Sequence, residues 1–291
     1  MKKFAFFGTP LFAEIVLDEL KAKGFVPSLI VTVEDKPKGR KLVLTPPEVK
    51  VWAEKESVPY LQLKTLRDAE VVEKIKSFSP DGFDPGTRAE HGTGWDFFVV
   101  ASYGKMIPQN VLDIPKLGTL NVHPSLLPKL RGASPIESAI LSESETGVTI
   151  IRLDAEMDHG PIIAQEQTAI DEWPPYFETL ETTLAHHGGK LLADILSDWV
   201  DGKIEEKEQD HHSTTVCGKI KKEDGLLDLD ADPELNLRKI RAYHVWPTAY
   251  FFQDGKRIIV KRAHIENSEL IIDRIVPEGK NEMDYSSYKN N

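Results

Sequence analysis

One short segment carries residue types suited to acyl transfer. Asn121 and His123 stand two positions apart at the end of a strand-like run, so their side chains should point to the same face. A second loop, residues 153–161, supplies Asp158. A histidine beside a carboxylate can take a proton from an attacking amine, and an amide can donate a hydrogen bond to an oxygen that becomes negative. The trio therefore favours acyl transfer to an amine without a covalent enzyme intermediate.

The residue types alone leave alternatives open. Asp154 and Glu156 compete with Asp158 as the carboxylate, and His159 competes with His123 as the imidazole. An Asn-x-His pair at a strand end is also compatible with a structural histidine. No serine lies in a Gly-x-Ser-x-Gly elbow, and the single cysteine lies far from both segments, which argues against a nucleophile-based hydrolase.

Alternating strand and helix patterns surround these residues. Strands are predicted over residues 3–7, 28–33, 96–101, 118–123, 147–153 and 161–168, and helices over 11–20, 48–55, 68–77, 134–141 and 176–200. This alternation predicts an α/β fold with a parallel sheet and crossover helices. Ligands bind beyond the carboxyl ends of the strands in such sheets, which is where Asn121 and His123 stand.

A charged, polar stretch at residues 201–210 predicts a domain boundary, so we expect domains at 1–203 and 204–291. Beyond it, strands are predicted over residues 212–216, 249–252, 257–265 and 270–275, with one helix over 233–242. The second domain should therefore be small and mostly β. Residues 82–94 are rich in glycine and lack apolar periodicity, which predicts a long loop.

Charge and composition exclude several classes. A net charge of −11 over 291 residues argues against a general nucleic-acid binder, although residues 219–262 carry ten basic against seven acidic side chains. No apolar run is long enough to span a membrane, and a single cysteine excludes an internal disulfide and a cysteine-based zinc site. We expect a cytoplasmic protein. The first strand is followed by neither Gly-x-Gly-x-x-Gly nor a P-loop lysine, which argues against a dinucleotide or ATP site.

Two motifs together carry a family resemblance. Asn-Val-His-Pro-Ser-Leu-Leu-Pro at residues 121–128 and Met-Asp-His-Gly-Pro-Ile at residues 157–162 resemble the folate-dependent formyltransferase superfamily. Further segments resemble the branch that formylates methionyl-tRNA, namely residues 6–13, 35–40, 44–50, 99–108 and 219–225. The similarity covers nearly the whole chain, with two departures: residues 82–94 look like an insertion, and residues 246–291 are shorter than the family pattern.

The resemblance implies a fold and a reaction. The fold is a Rossmann-like parallel-sheet formyltransferase domain followed by a small, shortened OB-like, mostly β domain. The reaction is transfer of the formyl group of 10-formyltetrahydrofolate, a co-substrate, to the amino group of methionine on initiator methionyl-tRNA, in support of translation initiation. No metal and no membrane are implied, and we expect a monomer.

The resemblance also implies the roles of particular residues. The catalytic set would be Asn121, His123 and Asp158. The folate-contacting set would be Ser125, Leu126, Leu127 and Pro128, with the backbone around Val100, Ala101 and Tyr103 lining the pterin pocket. The tRNA-contacting set would be a basic loop with Lys36, Lys38, Arg40 and Lys41, because cations on a glycine-containing loop can neutralise phosphates.

Two other functions stay open. A formyltransferase acting on a nucleotide-linked amino sugar could use the same catalytic residues, and the acidic net charge and short second domain favour it. A noncatalytic folate- or RNA-binding homologue is the third candidate. The complete set of Asn121, His123 and Asp158 argues against this third function, because binding alone does not need a proton-transfer group.

Overall fold

The computed structural model describes residues 2–39, 42–78 and 94–289. Within these ranges the chain divides into two compact units. The first comprises Met1–Arg131, Gly147–Gln167 and Thr182–Thr214, and the second comprises Gly132–Thr146, Thr168–Glu181 and Thr215–Asn291. Each unit is therefore discontinuous along the chain, and the predicted boundary at residue 203 stays a prediction.

The strands differ widely in length, from two residues to eleven. In chain order they are β1 Phe4–Gly8, β2 Leu29–Thr32, β3 Lys36–Lys38, β4 Val43–Thr45, β5 Tyr60–Gln62, β6 Phe97–Ala101, β7 Thr119–His123, β8 Arg131–Gly132, β9 Thr146–Arg152, β10 Ile162–Thr168, β11 Val216–Cys217, β12 Tyr250–Gln253, β13 Lys256–Glu266, β14 Glu269–Pro277 and β15 Met283–Asp284.

The α-helices alternate with the strands in the first half of the chain, as predicted. They are α1 Leu11–Ala22, α2 Glu48–Lys55, α3 Ala69–Lys76, α4 Gln109–Leu112, α5 Pro135–Ser142, α6 Phe177–Val200, α7 Pro233–Ala242 and α8 Tyr285–Lys289. Local signals explain several starts. In α7, for example, Asp232 accepts a hydrogen bond from the backbone N–H of Glu234, and Pro233 occupies the first turn.

The first unit is organised around a seven-stranded sheet of order β10-β9-β7-β6-β1-β2-β5. The five strands from β7 to β5 run parallel to one another, which confirms the predicted α/β class. Strand β9 is a departure, because it runs antiparallel to β7, with His123 opposite Thr149. Strand β9 begins at the end of the sheet where β7 finishes, so it runs in the opposite direction.

The centre of this sheet is buried on both faces. Every residue of β1, β6 and β7 is buried, which accounts for the nearly continuous apolar sequences of β1 and β6. The aromatic ring of Phe7 packs against Phe98 and edge-on against Tyr103. Trp95 is fully buried, and its indole N–H donates to the backbone oxygen of Ile75 at 2.8 Å. This packing holds the carboxyl ends of β6 and β7 in place.

The second unit contains an antiparallel sheet of order β12-β13-β14-β15. Two tight turns join its longer strands, and both have two residues with positive φ: Asp254 and Gly255 at 49° and 73°, and Asn267 and Ser268 at 49° and 65°. Such turns match the twist of antiparallel strands. The unit has its own apolar core, with Ile240 of α7 packed among residues of the sheet.

The predicted strand over residues 212–216 is wrong. Residues His211–Ser213 form a 3-10 turn, and the strand that follows comprises only Val216–Cys217. The carboxylate of Asp210 accepts hydrogen bonds from the backbone N–H of His212 and from the hydroxyl of Ser213, at 3.1 and 2.6 Å. A short polar side chain that binds the nearby backbone competes with strand formation.

Among the residues that the structure describes, no helix has both the length and the apolar character needed to cross a membrane. The predicted insertion at residues 82–94 lies outside the described ranges, except for Gly94.

Candidate active site

Strand β7 delivers two polar side chains to the carboxyl end of the sheet. Asn121 and His123 are only 8% and 3% exposed. They alternate with Val122 along the strand and so share one face. Asn121 lies between Val100 of β6 and Ile151 of β9 in the register of the sheet. The two side chains are therefore held on a buried strand in the interior of the sheet.

Asp158 reaches the same place from the loop after β9. Its Oδ1 atom lies 3.6 Å from Nδ1 of His123, and the amide of Asn121 donates to this oxygen at 3.4 Å. Asp158 adopts a φ of +51°, which aspartate tolerates better than most residues. The structure thus brings together the three residues of the predicted catalytic set.

The protonation geometry of His123 follows from its second neighbour. Nε2 lies 3.0 Å from the backbone oxygen of Leu130. A carbonyl oxygen only accepts, so Nε2 must carry the hydrogen, and in the neutral ring Nδ1 is the basic atom. That basic atom faces Asp158. A proton taken up at Nδ1 would be stabilised by the carboxylate on one side of the ring and the carbonyl on the other.

The competing residues form a separate pair. Nδ1 of His159 lies 2.7 Å from Oδ2 of Asp154, and the ring of His159 stacks on that of His211 with centroids 4.3 Å apart. The other carboxylate oxygen of Asp154 accepts from the backbone N–H of Glu156. The carboxylate found beside His123 is that of Asp158.

The turn after Asp158 depends on a glycine. A Cβ atom on Gly160 would lie 1.9 Å from the backbone oxygen of Arg152, which is far inside contact distance. Gly160 therefore lets the loop pass close to the end of β9 and return toward β7. The motif Met-Asp-His-Gly signalled this turn in the sequence, but not which backbone it approaches.

The loop of Ser125 to Pro128 is fixed by Thr149, a residue that the sequence did not single out. The hydroxyl of Thr149 donates to the backbone oxygen of Ser125 at 2.6 Å and accepts from the backbone N–H of Leu127 at 3.2 Å. Gln165 donates both to this hydroxyl and to the backbone oxygen of Leu127, each at 2.8 Å. Leu127 and Ser125 are buried, whereas Leu126 and Pro128 keep partly exposed faces. A polar residue inside the apolar strand β9 was the only available signal.

The predicted pterin-lining segment offers backbone more than side chains. Val100, Ala101 and Tyr103 are all buried, and burial raises the pKa of Tyr103 to about 12. The Tyr103 hydroxyl has no hydrogen-bond partner in the described part of the chain. The hydroxyl of Thr9 donates to the backbone oxygen of Tyr103 at 3.0 Å, and Ser102 has a φ of +44°. The chain therefore bends directly after β6.

The basic loop after β2 forms a hairpin of β3 and β4. Lys36 and Lys38 are exposed, and Nζ of Lys38 lies 2.9 Å from Glu48. Arg40 and Lys41 lie outside the described residues.

The hairpin is anchored at its base by Asp35. The Asp35 carboxylate accepts from Lys50 at 2.9 Å and from Gln62 at 2.6 Å. The hydrogen bond from Lys50 and then that from Gln62 lower the pKa of Asp35.

In the ranges described, no group of three or more His, Cys, Asp or Glu side chains is arranged to hold a metal ion.

Comparison with known proteins places the chain in a family. A formyl transferase family model matches residues 88–196, and a formyl transferase C-terminal domain model matches residues 219–270. The chain belongs to the formyl transferase family.

Among curated relatives, a methionyl-tRNA formyltransferase of Chloroflexus aggregans is 42% identical over 266 residues, covering 90% of this chain and 80% of the relative. The methionyl-tRNA formyltransferase of Thermotoga maritima is 40% identical over 251 residues, covering 86% of this chain and 75% of the relative. A solved N-formyltransferase from Helicobacter canadensis, in complex with folinic acid and dTDP-3-aminofucose, has a TM-score of 0.65 and 16% identity, with 92% of this chain and 89% of that chain covered. This last likeness concerns the fold alone.

Proposed function

We propose that this protein transfers the formyl group of 10-formyltetrahydrofolate to the amino group of methionine on initiator methionyl-tRNA. Its relatives at about 40% identity over most of the chain are named for this reaction. The observation that carries the chemistry is the convergence of Asn121, His123 and Asp158 at one strand end. The reaction would support translation initiation.

The residues beside this trio suit a folate. A pterin ring has flat apolar faces and a hydrogen-bonding edge. The partly exposed faces of Leu126 and Pro128 supply apolar contact, and the backbone that turns after β6 would supply hydrogen-bonding groups for the edge of the ring. Thr149 holds the Ser125–Pro128 loop in one conformation, so little ordering is needed on binding.

Each of the three polar residues then has a chemical task. The Asn121 side chain carries two N–H groups, and in the described part of the chain only one is used, in a long contact with Asp158. It can donate to the formyl oxygen as negative charge develops there. Nδ1 of His123 can accept the proton that the amine loses as it bonds to the formyl carbon, and Asp158 stabilises the resulting positive ring. The bond from the formyl carbon to the folate nitrogen then breaks, and that nitrogen takes the proton and leaves as tetrahydrofolate.

The tRNA would be held in part by the hairpin of β3 and β4. Lys36 and Lys38 are exposed there, and Arg40 and Lys41 follow in the sequence. Cations of this kind bind phosphates without reading bases, which suits contact with the acceptor arm of a tRNA. We further propose that the protein acts as a monomer in the cytoplasm, where a single cysteine would stay reduced.

A nucleotide-linked amino sugar is the second candidate for the amine. The net charge of −11 and the short second domain favour it. The basic hairpin and the higher sequence identity to methionyl-tRNA formyltransferases favour tRNA.

The deciding experiment supplies purified protein with 10-formyltetrahydrofolate and either charged initiator methionyl-tRNA or a dTDP-linked amino sugar. We expect turnover with the tRNA. His123→Ala and Asp158→Asn, each checked for folding, should lose at least about a hundredfold in rate, the scale of a general acid-base group. Turnover of only the sugar nucleotide would replace the tRNA by the sugar while keeping the reaction, and no turnover of either would remove the proposal.

A further inference from the structure

A buried glutamine side chain joins the two segments that flank His123. Gln209 follows helix α6 and is 4% exposed. Its Nε2 donates to the backbone oxygens of Asp158 and Gly160, at 2.9 and 2.7 Å. Its Oε1 accepts from Nε and Nη2 of Arg131, at 3.0 and 2.6 Å. Gln209 and its three partner residues all belong to the first unit.

The orientation of this amide is dictated by its partners. Backbone oxygens only accept and a guanidinium only donates, so Nε2 must face the loop and Oε1 must face Arg131. Both hydrogens and both lone pairs of the amide are thereby used, by four hydrogen bonds of good length. Such a fully satisfied buried group allows few alternative arrangements.

These contacts bear on both nitrogens of His123. On one side, Gln209 holds the backbone of Asp158, whose carboxylate faces Nδ1. On the other side it holds Arg131, the residue next to Leu130, whose oxygen meets Nε2. Leu130 and Asp158 both have positive φ, at 59° and 51°, which costs conformational energy in residues other than glycine.

We propose that Gln209 is a positioning residue that sets the distance between the Asp158 carboxylate and the His123 ring. The role rests on the proposed function, in which these two groups handle the proton of the amine. Without the amide, the turn at Asp158 and the segment at Leu130 and Arg131 are no longer tied to one side chain. The carboxylate can then drift from Nδ1, and a displacement of about 1 Å in such a pair can cost up to a hundredfold in rate.

The test compares the effects of a substitution on kcat and on KM, and adds a double-mutant cycle with Asp158. Gln209→Leu should lower kcat ten- to a hundredfold while the KM values for 10-formyltetrahydrofolate and methionyl-tRNA change less than about threefold. In an Asp158→Asn background, the same substitution should cost less than about threefold more, because the carboxylate that it positions is already neutral. Gln209→Glu keeps the acceptor for Arg131 but places an oxygen against two backbone oxygens, so it should follow Gln209→Leu.

Asn236→Leu is the matched control for loss of a buried amide. Asn236 is 2% exposed and donates to the backbone oxygen of Asp228 in the second unit, outside the site. It should lower the unfolding temperature while kcat per folded molecule stays unchanged.

The positioning role of Gln209 and the proposed function fail in different ways. An active wild type in which Gln209→Leu raises KM instead, or adds its full loss to that of Asp158→Asn, overturns the positioning role and leaves the proposed function standing. A wild type that formylates no amine overturns the proposed function, and the positioning role with it. Failure of both Gln209 variants to fold would make Gln209 a folding residue and would equally overturn the positioning role.

Discussion

Oδ1 of Asp158 lies 3.6 Å from Nδ1 of His123, although His123 ends strand β7 and Asp158 lies in the loop after β9. The distance is slightly longer than a hydrogen bond, and His123 is nearly buried. The carboxylate therefore acts on the ring through its charge more than through a shared hydrogen. A pair of this kind is sensitive to small shifts of the loop that carries Asp158.

Gly160→Ala should impair both stability and rate. The added Cβ would lie 1.9 Å from the backbone oxygen of Arg152, so the turn that carries Asp158 must move. We expect a loss of about 1–3 kcal/mol in the free energy of unfolding and a fall in kcat of tenfold or more. Chemical denaturation and steady-state kinetics measure the two effects.

Gly202→Ala is the control for this change. Gly202 has a φ of +69° and open space where the Cβ would stand. It should cost about 1 kcal/mol of stability and leave kcat unchanged. Equal kinetic losses in the two variants would contradict the role of the Gly160 turn.

Thr149→Val should weaken folate binding. The substitution keeps the shape of the side chain but removes the hydroxyl that binds Ser125, Leu127 and Gln165. A buried polar group left without its partner costs about 1–3 kcal/mol, and the Ser125–Pro128 loop should loosen. The KM for 10-formyltetrahydrofolate should rise by several-fold or more, with a smaller effect on the KM for tRNA.

Thr119→Val tests whether this effect is specific. Thr119 is also buried in the sheet, but its hydroxyl has no partner among the residues described. The valine should be neutral or stabilising there. A rise in the KM for 10-formyltetrahydrofolate in this variant too would contradict the role of Thr149 in fixing the Ser125–Pro128 loop.

The two described lysines of the hairpin should differ in their contribution to tRNA binding. Lys38 is paired with Glu48, whereas Lys36 has no ion pair in the described ranges. Lys36→Ala should therefore lower the affinity for tRNA and reduce by about one the slope of the log of the association constant against log salt concentration. Lys38→Ala should have a smaller effect on both quantities. Glu48→Gln should strengthen binding by releasing Lys38.

Lys203→Ala is the comparison for the hairpin variants. Lys203 follows helix α6, is exposed and forms ion pairs with Asp198 and Asp201. Filter binding over a range of salt should give it the wild-type slope. If Lys36→Ala also keeps the wild-type slope, Lys36 does not contact phosphate.

Tyr103 should make the protein less stable in alkali. Burial raises its pKa to about 12 from 10.0, so the folded state holds the phenolic proton over a range in which the unfolded chain has lost it. The resulting stability is complete below about pH 10 and disappears as the pH rises to about 12, a change on the order of 2 kcal/mol.

Tyr103→Phe should remove this dependence. It also deletes a buried hydroxyl that lacks a partner in the described part of the chain, so it should be neutral or slightly stabilising at pH 7. Denaturation of both proteins at pH 8 and pH 11 measures the difference. Equal losses of stability in the two proteins between pH 8 and pH 11 would show that groups other than Tyr103 cause the loss.

Some features of the fold were predictable because they depend on short-range patterns. The apolar run that ends at Ala101 became the buried strand β6, and Asp232-Pro233 became the start of α7. The strand predicted over residues 212–216 failed because Asp210 forms a polar turn with His212 and Ser213, which a pattern of apolar residues does not reveal.

By itself, the sequence determined the α/β class, the family motifs and the proximity of Asn121 to His123, because strand alternation and motif spacing are local properties. Only the tertiary structure decided that Asp158, and not Asp154, lies beside His123, and that Gln209 holds its turn. Those contacts join residues far apart in the chain, and they form because buried polar groups must find partners wherever the packed sheet and loops place them.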